Sequence, residues 1–242
     1  MIEYKNITKA YGDKEILKDF SLKIEEGDFL TIVGRSGSGK TTLLKMVNGL
    51  VKPDQGQVLV KGQGIEGQDL IQLRRQIGYA IQGNVLFPHM TVAENIAYVL
   101  WLQGQKEEQI AAIVEQKLAM LDLEADLKDR YPAELSGGQA QRVGIARSLG
   151  ANPSILLMDE PFGAVDAITR YQLQRELKKL YQTNQMTVVF ITHDITEALK
   201  LGSKVLVLDN GQIQQFASPM EIQQQPANDF VRDLLDIAGV SK

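Results

Sequence analysis

Apolar residues fall along this chain in two rhythms, and the change from one to the other divides it. Near the start, Ile2-Glu3-Tyr4-Lys5-Asn6-Ile7 and Phe20-Ser21-Leu22-Lys23-Ile24 alternate apolar with polar positions. That is the period of an antiparallel strand with one face in a core and the other in water. Phe29-Leu30-Thr31-Ile32-Val33 is almost continuously apolar and runs into Gly34, as a strand covered on both faces does. Beyond the glycines, Leu43, Leu44, Val47 and Leu50 recur at helical spacing, and Gly49 falls near the expected helix end. The order is strand, glycine-rich loop, helix.

From Pro88 to Asn152 the period is helical. Ile110, Ile113, Val114, Leu118 and Leu121 predict one apolar helix face, with Glu107, Glu108, Glu115 and Lys117 on the other. Strand character returns at Ile155-Leu156-Leu157-Met158 and at Thr187-Val188-Val189-Phe190-Ile191, with Leu173, Leu177, Leu180 and Tyr181 striping a helix between them. Strand, helix, strand at this spacing predicts a parallel crossover. Val205-Leu206-Val207-Leu208 is a third apolar strand ending in the turn Asp209-Asn210-Gly211. Gln223-Gln224-Gln225-Pro226 is a polar break before a final amphipathic helix. The pattern predicts one α/β core interrupted by a mostly helical lobe, with no internal repeats.

Composition narrows the chemistry. A chain of 242 residues, 44% of them apolar, is enough for one substantial core with a smaller inserted lobe. Its 26 Lys and Arg against 30 Asp and Glu give a net charge of −4, so there is no global basic field and no nucleic-acid partner is expected. The absence of cysteine excludes disulfides, Cys-ligated zinc, iron–sulfur clusters and thiol nucleophiles. No apolar run approaches the ~18–20 residues of a membrane-spanning helix. The polar opening Met1-Ile2-Glu3-Tyr4-Lys5-Asn6 lacks a signal-peptide stretch, so a soluble, cytoplasmic chain is expected.

Three segments carry candidate chemistry. Gly34-Arg35-Ser36-Gly37-Ser38-Gly39-Lys40-Thr41 matches the Walker A pattern between a buried strand and an amphipathic helix. Its glycines let backbone N–H groups converge on phosphate oxygens, and the following helix adds the positive end of its dipole. Lys40 is placed for the β- and γ-phosphates of a nucleoside triphosphate, and the Thr41 hydroxyl for Mg2+. At the end of the strand 155–158, Asp159 and Glu160 place two carboxylates where α/β sheets bind ligands. Asp159 could hold Mg2+ through water and Glu160 could polarise an attacking water. The third segment, Leu135-Ser136-Gly137-Gly138-Gln139, precedes a helical run with Ser136 as its N-cap, which makes a second anion site.

In this order the three segments resemble the ATP-binding cassette (ABC) ATPases, over essentially the whole chain from Tyr4 to about Leu235. The resemblance implies an α/β fold: a RecA-like P-loop core with an antiparallel β subdomain and an inserted helical subdomain. Residues 1–87 and 153–242 would form the core with the C-terminal helix, and residues 88–152 the helical signature subdomain. It also implies further roles. Tyr11 would stack on adenine, Thr42 would touch the α-phosphate, and Gln82 would meet Mg2+ or the attacking water. His193 would contact the γ-phosphate, Asp166 would connect the sites of two subunits, and Glu160 would be the general base. Two chains would pack head to tail as a homodimer, with Ser136, Gly137, Gly138 and Gln139 of one completing the ATP site of the other.

Within that family the chain is most similar to importer ATPases for quaternary amines and osmoprotectants such as glycine betaine, choline and carnitine. The similarity lies in Ile77-Gly78-Tyr79-Ala80-Ile81-Gln82, in Leu86-Phe87-Pro88-His89-Met90-Thr91 and in the segment Pro161 to Arg170. It departs at Val85, where members often have glycine. Many members continue into paired CBS domains, whereas this sequence stops at Lys242, so osmotic sensing through such a tail is not expected. The implied partners are integral-membrane permease subunits and a substrate-binding protein or fused binding domain, on the cytoplasmic face of the membrane. A permease helix would dock near Gln82 to Thr91, with His89 a surface residue near that contact. A cassette serving an efflux or lipoprotein-release permease, or a cytosolic complex, is the alternative. A small-molecule kinase has no use for Ser136-Gly137-Gly138-Gln139, and a regulatory GTPase needs an N-K-x-D segment that the sequence lacks.

Overall fold

In the computed structural model, which describes residues 1–83, 86–163, 165–184 and 186–240, the opening alternation becomes a long hairpin. Val85 and Ala164 lie outside these residues. Strands β1 (Ile2–Tyr11) and β2 (Lys14–Ile24) extend well past the alternating segments. Asn6 and Asp19 adopt left-handed backbone angles there, and the Asn6 side chain donates to the Asp19 carboxylate across the irregular register. Then come β3 (Phe29–Val33), α1 (Lys40–Val47), β4 (Gln55–Val60), β5 (Gln63–Gly64) and α2 (Leu70–Arg75). The middle holds β6 (Ile77–Ala80), α3 (Val92–Leu102), α4 (Glu107–Met120), α5 (Gly137–Leu149), β7 (Ile155–Asp159) and α6 (Ala167–Asn184). The chain closes with β8 (Thr187–Ile191), α7 (Ile195–Leu201), β9 (Lys204–Asp209), β10 (Gln212–Ala217), α8 (Pro219–Gln224) and α9 (Asp229–Ile237).

These elements divide into two compact units. The first comprises Met1–Leu73 and Met186–Lys242. It contains an antiparallel sheet in the order β2-β1-β4-β5 and a second set of strands in the order β10-β9-β3-β8. Strand β3 is parallel to both neighbours, with Thr31 opposite Phe190 and Val205, and its five residues are all buried. The antiparallel sheet is tied to α1 by Tyr4, whose hydroxyl donates to the Leu43 carbonyl at 2.9 Å while its ring meets Phe20 edge-on. Burial pushes the Tyr4 phenol far above its usual pKa, so it remains a donor.

The second unit, Arg74–Gln185, holds the parallel pair β6 and β7 with helices α3 to α6. Here Asn95 is fully buried and stitches the preceding loop. Its amide group donates to the carbonyls of Phe87, Met90 and Thr91 and accepts from the Phe87 N–H. Thr91 and Glu94 close a capping box on α3. The segment 86–91 is thereby held in one shape.

Three expectations need correction. Leu50 lies past the end of α1 and is 52% exposed, because Gly49 turns the chain with a left-handed backbone. Lys117 does not sit on the solvated face of α4. It is 3% exposed, and its ammonium donates to the Asn152 side chain at 2.8 Å. The glutamine run is not a plain break, since Gln223 and Gln224 end α8, which Ser218 and Glu221 cap reciprocally.

Candidate nucleotide site

In the first unit, β3 delivers its chain directly into the loop 34–39 and then into α1. Gly34 has φ +155, and a Cβ there would lie 1.8 Å from the Leu208 carbonyl oxygen, so a side chain is excluded by both backbone and space. Gly39 has φ +101 and packs against Ile16 and Leu17 of β2. The strand pair that ends in Tyr11 thus also supports the loop. Lys40 is 5% exposed, and its ammonium donates to the carbonyls of Gly34 and Arg35 at 2.8 Å each. The lysine is therefore curled over the loop it belongs to. Ser38 is 2% exposed, and its hydroxyl meets no partner among the described residues. A buried hydroxyl of this kind fits a phosphate oxygen.

Two further candidate side chains, His193 and Tyr11, lie in the same unit. Thr192 and His193 follow β8, the parallel neighbour of β3, and the Thr192 N–H donates to the Ile32 carbonyl at 3.1 Å. His193 is exposed on a braced turn. The Thr192 hydroxyl donates to the Glu197 carboxylate, and the Asp194 carboxylate caps α7 by accepting from Thr196 and Glu197. Tyr11 is half exposed, with the Lys9 ammonium 5.4 Å from its ring centroid. Asp54 fixes that arrangement, accepting from the Lys9 ammonium at 2.6 Å and from the Ala10 N–H at 2.7 Å. These contacts, Lys9 first, lower the pKa of the Asp54 carboxyl.

The second unit carries the carboxylates. Asp159 is 2% exposed at the end of β7. Glu160 follows with φ 48, a left-handed conformation that costs a residue with a side chain of order 1–2 kcal/mol. The Gln82 side-chain amide donates to the Glu160 carboxylate at 2.8 Å. On β6, Tyr79 has a buried hydroxyl, and burial, with the charge of Asp159 adding to it, pushes its pKa up to about 12. Ser136 is the N-cap of α5, accepting from the Gln139 N–H, while the Gln139 side chain accepts from the Ser136 N–H at 2.9 Å. The Gln139 side-chain oxygen is thus engaged in capping, and Gly137 and Gly138 open the helix. Asp166 caps α6 from an exposed position, accepting from Ile168 and Thr169, and the Thr169 bonds hold its carboxyl below the usual range.

A sequence-family model described as ABC transporter matches residues 17–163. The chain belongs to that family. This ABC transporter ATPase is 46% identical over 232 residues to the glycine betaine uptake system ATP-binding protein YehX of Escherichia coli, covering 96% of this chain and 75% of that protein. It is 45% identical to the choline transport ATP-binding protein OpuBA of Bacillus subtilis, covering 97% of this chain but 62% of the relative's length. A sulfate/thiosulfate import ATP-binding protein, CysA of Halalkalibacterium halodurans, is 44% identical over 99% of this chain and 67% of its own length. Among solved structures, the dimeric, post-hydrolysis ATP-binding cassette MJ0796 bound to ADP and phosphate matches with a TM-score of 0.85. The identity is 36%, over 90% of this chain and 99% of that one. The mixed architecture of antiparallel sheet and parallel core strands is that of an ABC cassette.

Sequence reasoning missed several features of this ABC ATPase. Lys9 beneath Tyr11 had a signal, because residues two apart share a face of a strand. Asp54 had none, being remote in the chain from its partners. Nor did the left-handed Glu160, a residue type that does not advertise that conformation.

Proposed function

We propose that this chain is the ATP-hydrolysing subunit of an ABC importer that takes up a small solute, of the quaternary-amine or betaine type. The hydrogen bond from Gln82 to Glu160 carries the catalytic part of this reading, because it fixes a carboxylate at the end of a buried strand. The triphosphate of ATP rests on the loop 34–41, with Lys40 on the β- and γ-phosphates, Thr42 at the α-phosphate and Tyr11 stacked on adenine. Glu160 accepts a proton from water as its oxygen bonds to the γ-phosphorus and the bond to the bridging oxygen breaks, releasing ADP. His193 hydrogen-bonds the γ-phosphate. The oxygens of Thr41, Gln82 and Asp159 suit Mg2+, which supplies charge neutralisation when bound.

Two copies work head to tail, residues 136–139 at the start of α5 in one completing the γ-phosphate site of the other, with Asp166 between the sites. Hydrolysis is then weak until the dimer closes, because donors come from both chains. Residues 88–152 act as the signature subdomain. A cavity of about 250 Å³ in the second unit, lined by Tyr79, Ile81, Phe87, Tyr98 and Arg147 among others, receives a short permease helix at the cytoplasmic face of the membrane. The Asn95-stitched loop supports that role, since a rigid surface loses little entropy on docking. A binding protein or fused binding domain presents the solute.

The betaine and choline relatives support the solute class. The sulfate relative at 44% favours a second reading, an oxyanion importer with the same ATPase. Purifying this chain from host membranes with its permease, and measuring uptake of labelled glycine betaine against sulfate, separates the two. Uptake of the betaine supports the first reading and uptake of sulfate the second. A permease with no binding protein, or a soluble partner only, overturns import.

A further inference from the structure

The far end of the chain reaches the phosphate loop. The Arg35 guanidinium stands 4.9 Å from the centre of the Phe230 ring, at the start of α9, within cation–π range. Arg35 is the second residue of the loop, and its carbonyl accepts both the Lys40 ammonium and the Ser38 N–H. A shift of Arg35 therefore moves the acceptor that holds the lysine. Phe230 in turn is fixed from two sides. Val231 and Leu235 on its helix are buried in one core with Val33, the residue before Gly34, and with Ile195, Val205 and Val207. Asn228 caps the helix through Val231 and donates to the Gln214 side chain of β10, while the Gln215 side chain accepts from Ala227 and donates to Gln225.

We propose that Phe230 is a positioning residue of the phosphate loop, its ring holding Arg35 so that α9 helps to set the affinity for the triphosphate. This rests on reading residues 34–41 as the phosphate site. Without the ring, the exposed Arg35 side chain has no platform, and the loop must be ordered when the anion arrives. An exposed cation–π contact corresponds to about a 2- to 5-fold change in affinity. Because the effect acts on the phosphates and not on the base, it must be felt equally by ATP and by inorganic tripolyphosphate.

The test is calorimetric titration of the full chain with each of these two ligands. Phe230→Leu keeps an apolar side chain but loses the π face, and is expected to weaken both ligands about 2- to 5-fold. Phe230→Tyr is expected to bind as the parent does. Arg35→Met should weaken binding by the same factor as Phe230→Leu, and the double variant no further. Additive losses, unchanged or tighter binding by Phe230→Leu, or equal losses in Leu and Tyr variants overturn the proposal. Lys40→Ala is the control for the underlying reading. If it binds tripolyphosphate like the parent, the phosphate-site assignment fails, whatever the Phe230 variants do.

Discussion

The Gln82 amide donates to the Glu160 carboxylate at 2.8 Å, joining the end of β6 to the end of β7 through their side chains. The two strands run parallel, Ala80 beside Met158, so each residue sits just past the same edge. The Glu160 carboxylate is constrained in direction by that hydrogen bond and in backbone by an unusual φ.

Replacing the proposed base separates chemistry from binding. Glu160→Gln should retain ATP affinity, lower steady-state turnover by at least about 100-fold, and accumulate an ATP-bound dimer in size-exclusion runs. Turnover near the parent rate would remove Glu160 from the mechanism.

The strained backbone makes a second prediction at the same residue. Glu160→Gly should abolish turnover yet raise stability by up to about 1 kcal/mol, because glycine adopts φ 48 freely. Denaturant unfolding reads this, and a destabilised glycine variant would show that contacts of the Glu160 side chain outweigh the strain.

Ser136 can be tested as a cap apart from its proposed action in trans. Ser136→Ala should cost about 1 kcal/mol of stability and also lower turnover, whereas Ser136→Asn keeps the cap and loses turnover alone. Equal stability losses in both would mean that the capping box is not what holds α5.

Lys117 gives a pH dependence of known sign. Burial lowers its pKa, so below the folded value the protein holds a charge that the unfolded chain carries more comfortably. That penalty is fully present below the lowered value and fades as pH rises through it towards the usual lysine range of about 10.4. Lys117→Met should therefore be more stable than the parent by roughly 1 kcal/mol at pH 7, with the gap narrowing towards pH 10 in thermal unfolding. A constant gap would point to packing instead.

Tyr11 can be probed by ligand choice. Tyr11→Ala should weaken ATP about 10-fold and leave tripolyphosphate unaffected, as expected for loss of base stacking. An equal effect on both ligands would assign the ring to the support of the loop.

The features legible in the sequence are those made by neighbours in the chain. The glycine loop after β3, the Ser136-x-x-Gln139 box and the Asn210-Gly211 hairpin turn are written within a few residues each. The stripe through Ile110, Val114 and Leu118 is likewise local. What escaped depends on distant partners. Lys117 looks solvated by its period, but Asn152 and its surroundings bury it. Gln82 with Glu160, Asp54 with Lys9, and Arg35 with Phe230 are pairs that only the folded topology creates. Leu50 departs from its helical spacing for a different reason: the period continues through a glycine in the sequence but not through the left-handed backbone of Gly49.

On the proposed reading, the hydrogen bond between the Thr192 amide and the Ile32 carbonyl gains a dynamic meaning. It is the last rung before two parallel strands part, one towards the phosphate loop and the other towards His193. A γ-phosphate gripped by both would act as a clasp across that fork, and its departure would leave the rung as the first to fray. The exchange rate of a single backbone proton would then keep time with the nucleotide cycle.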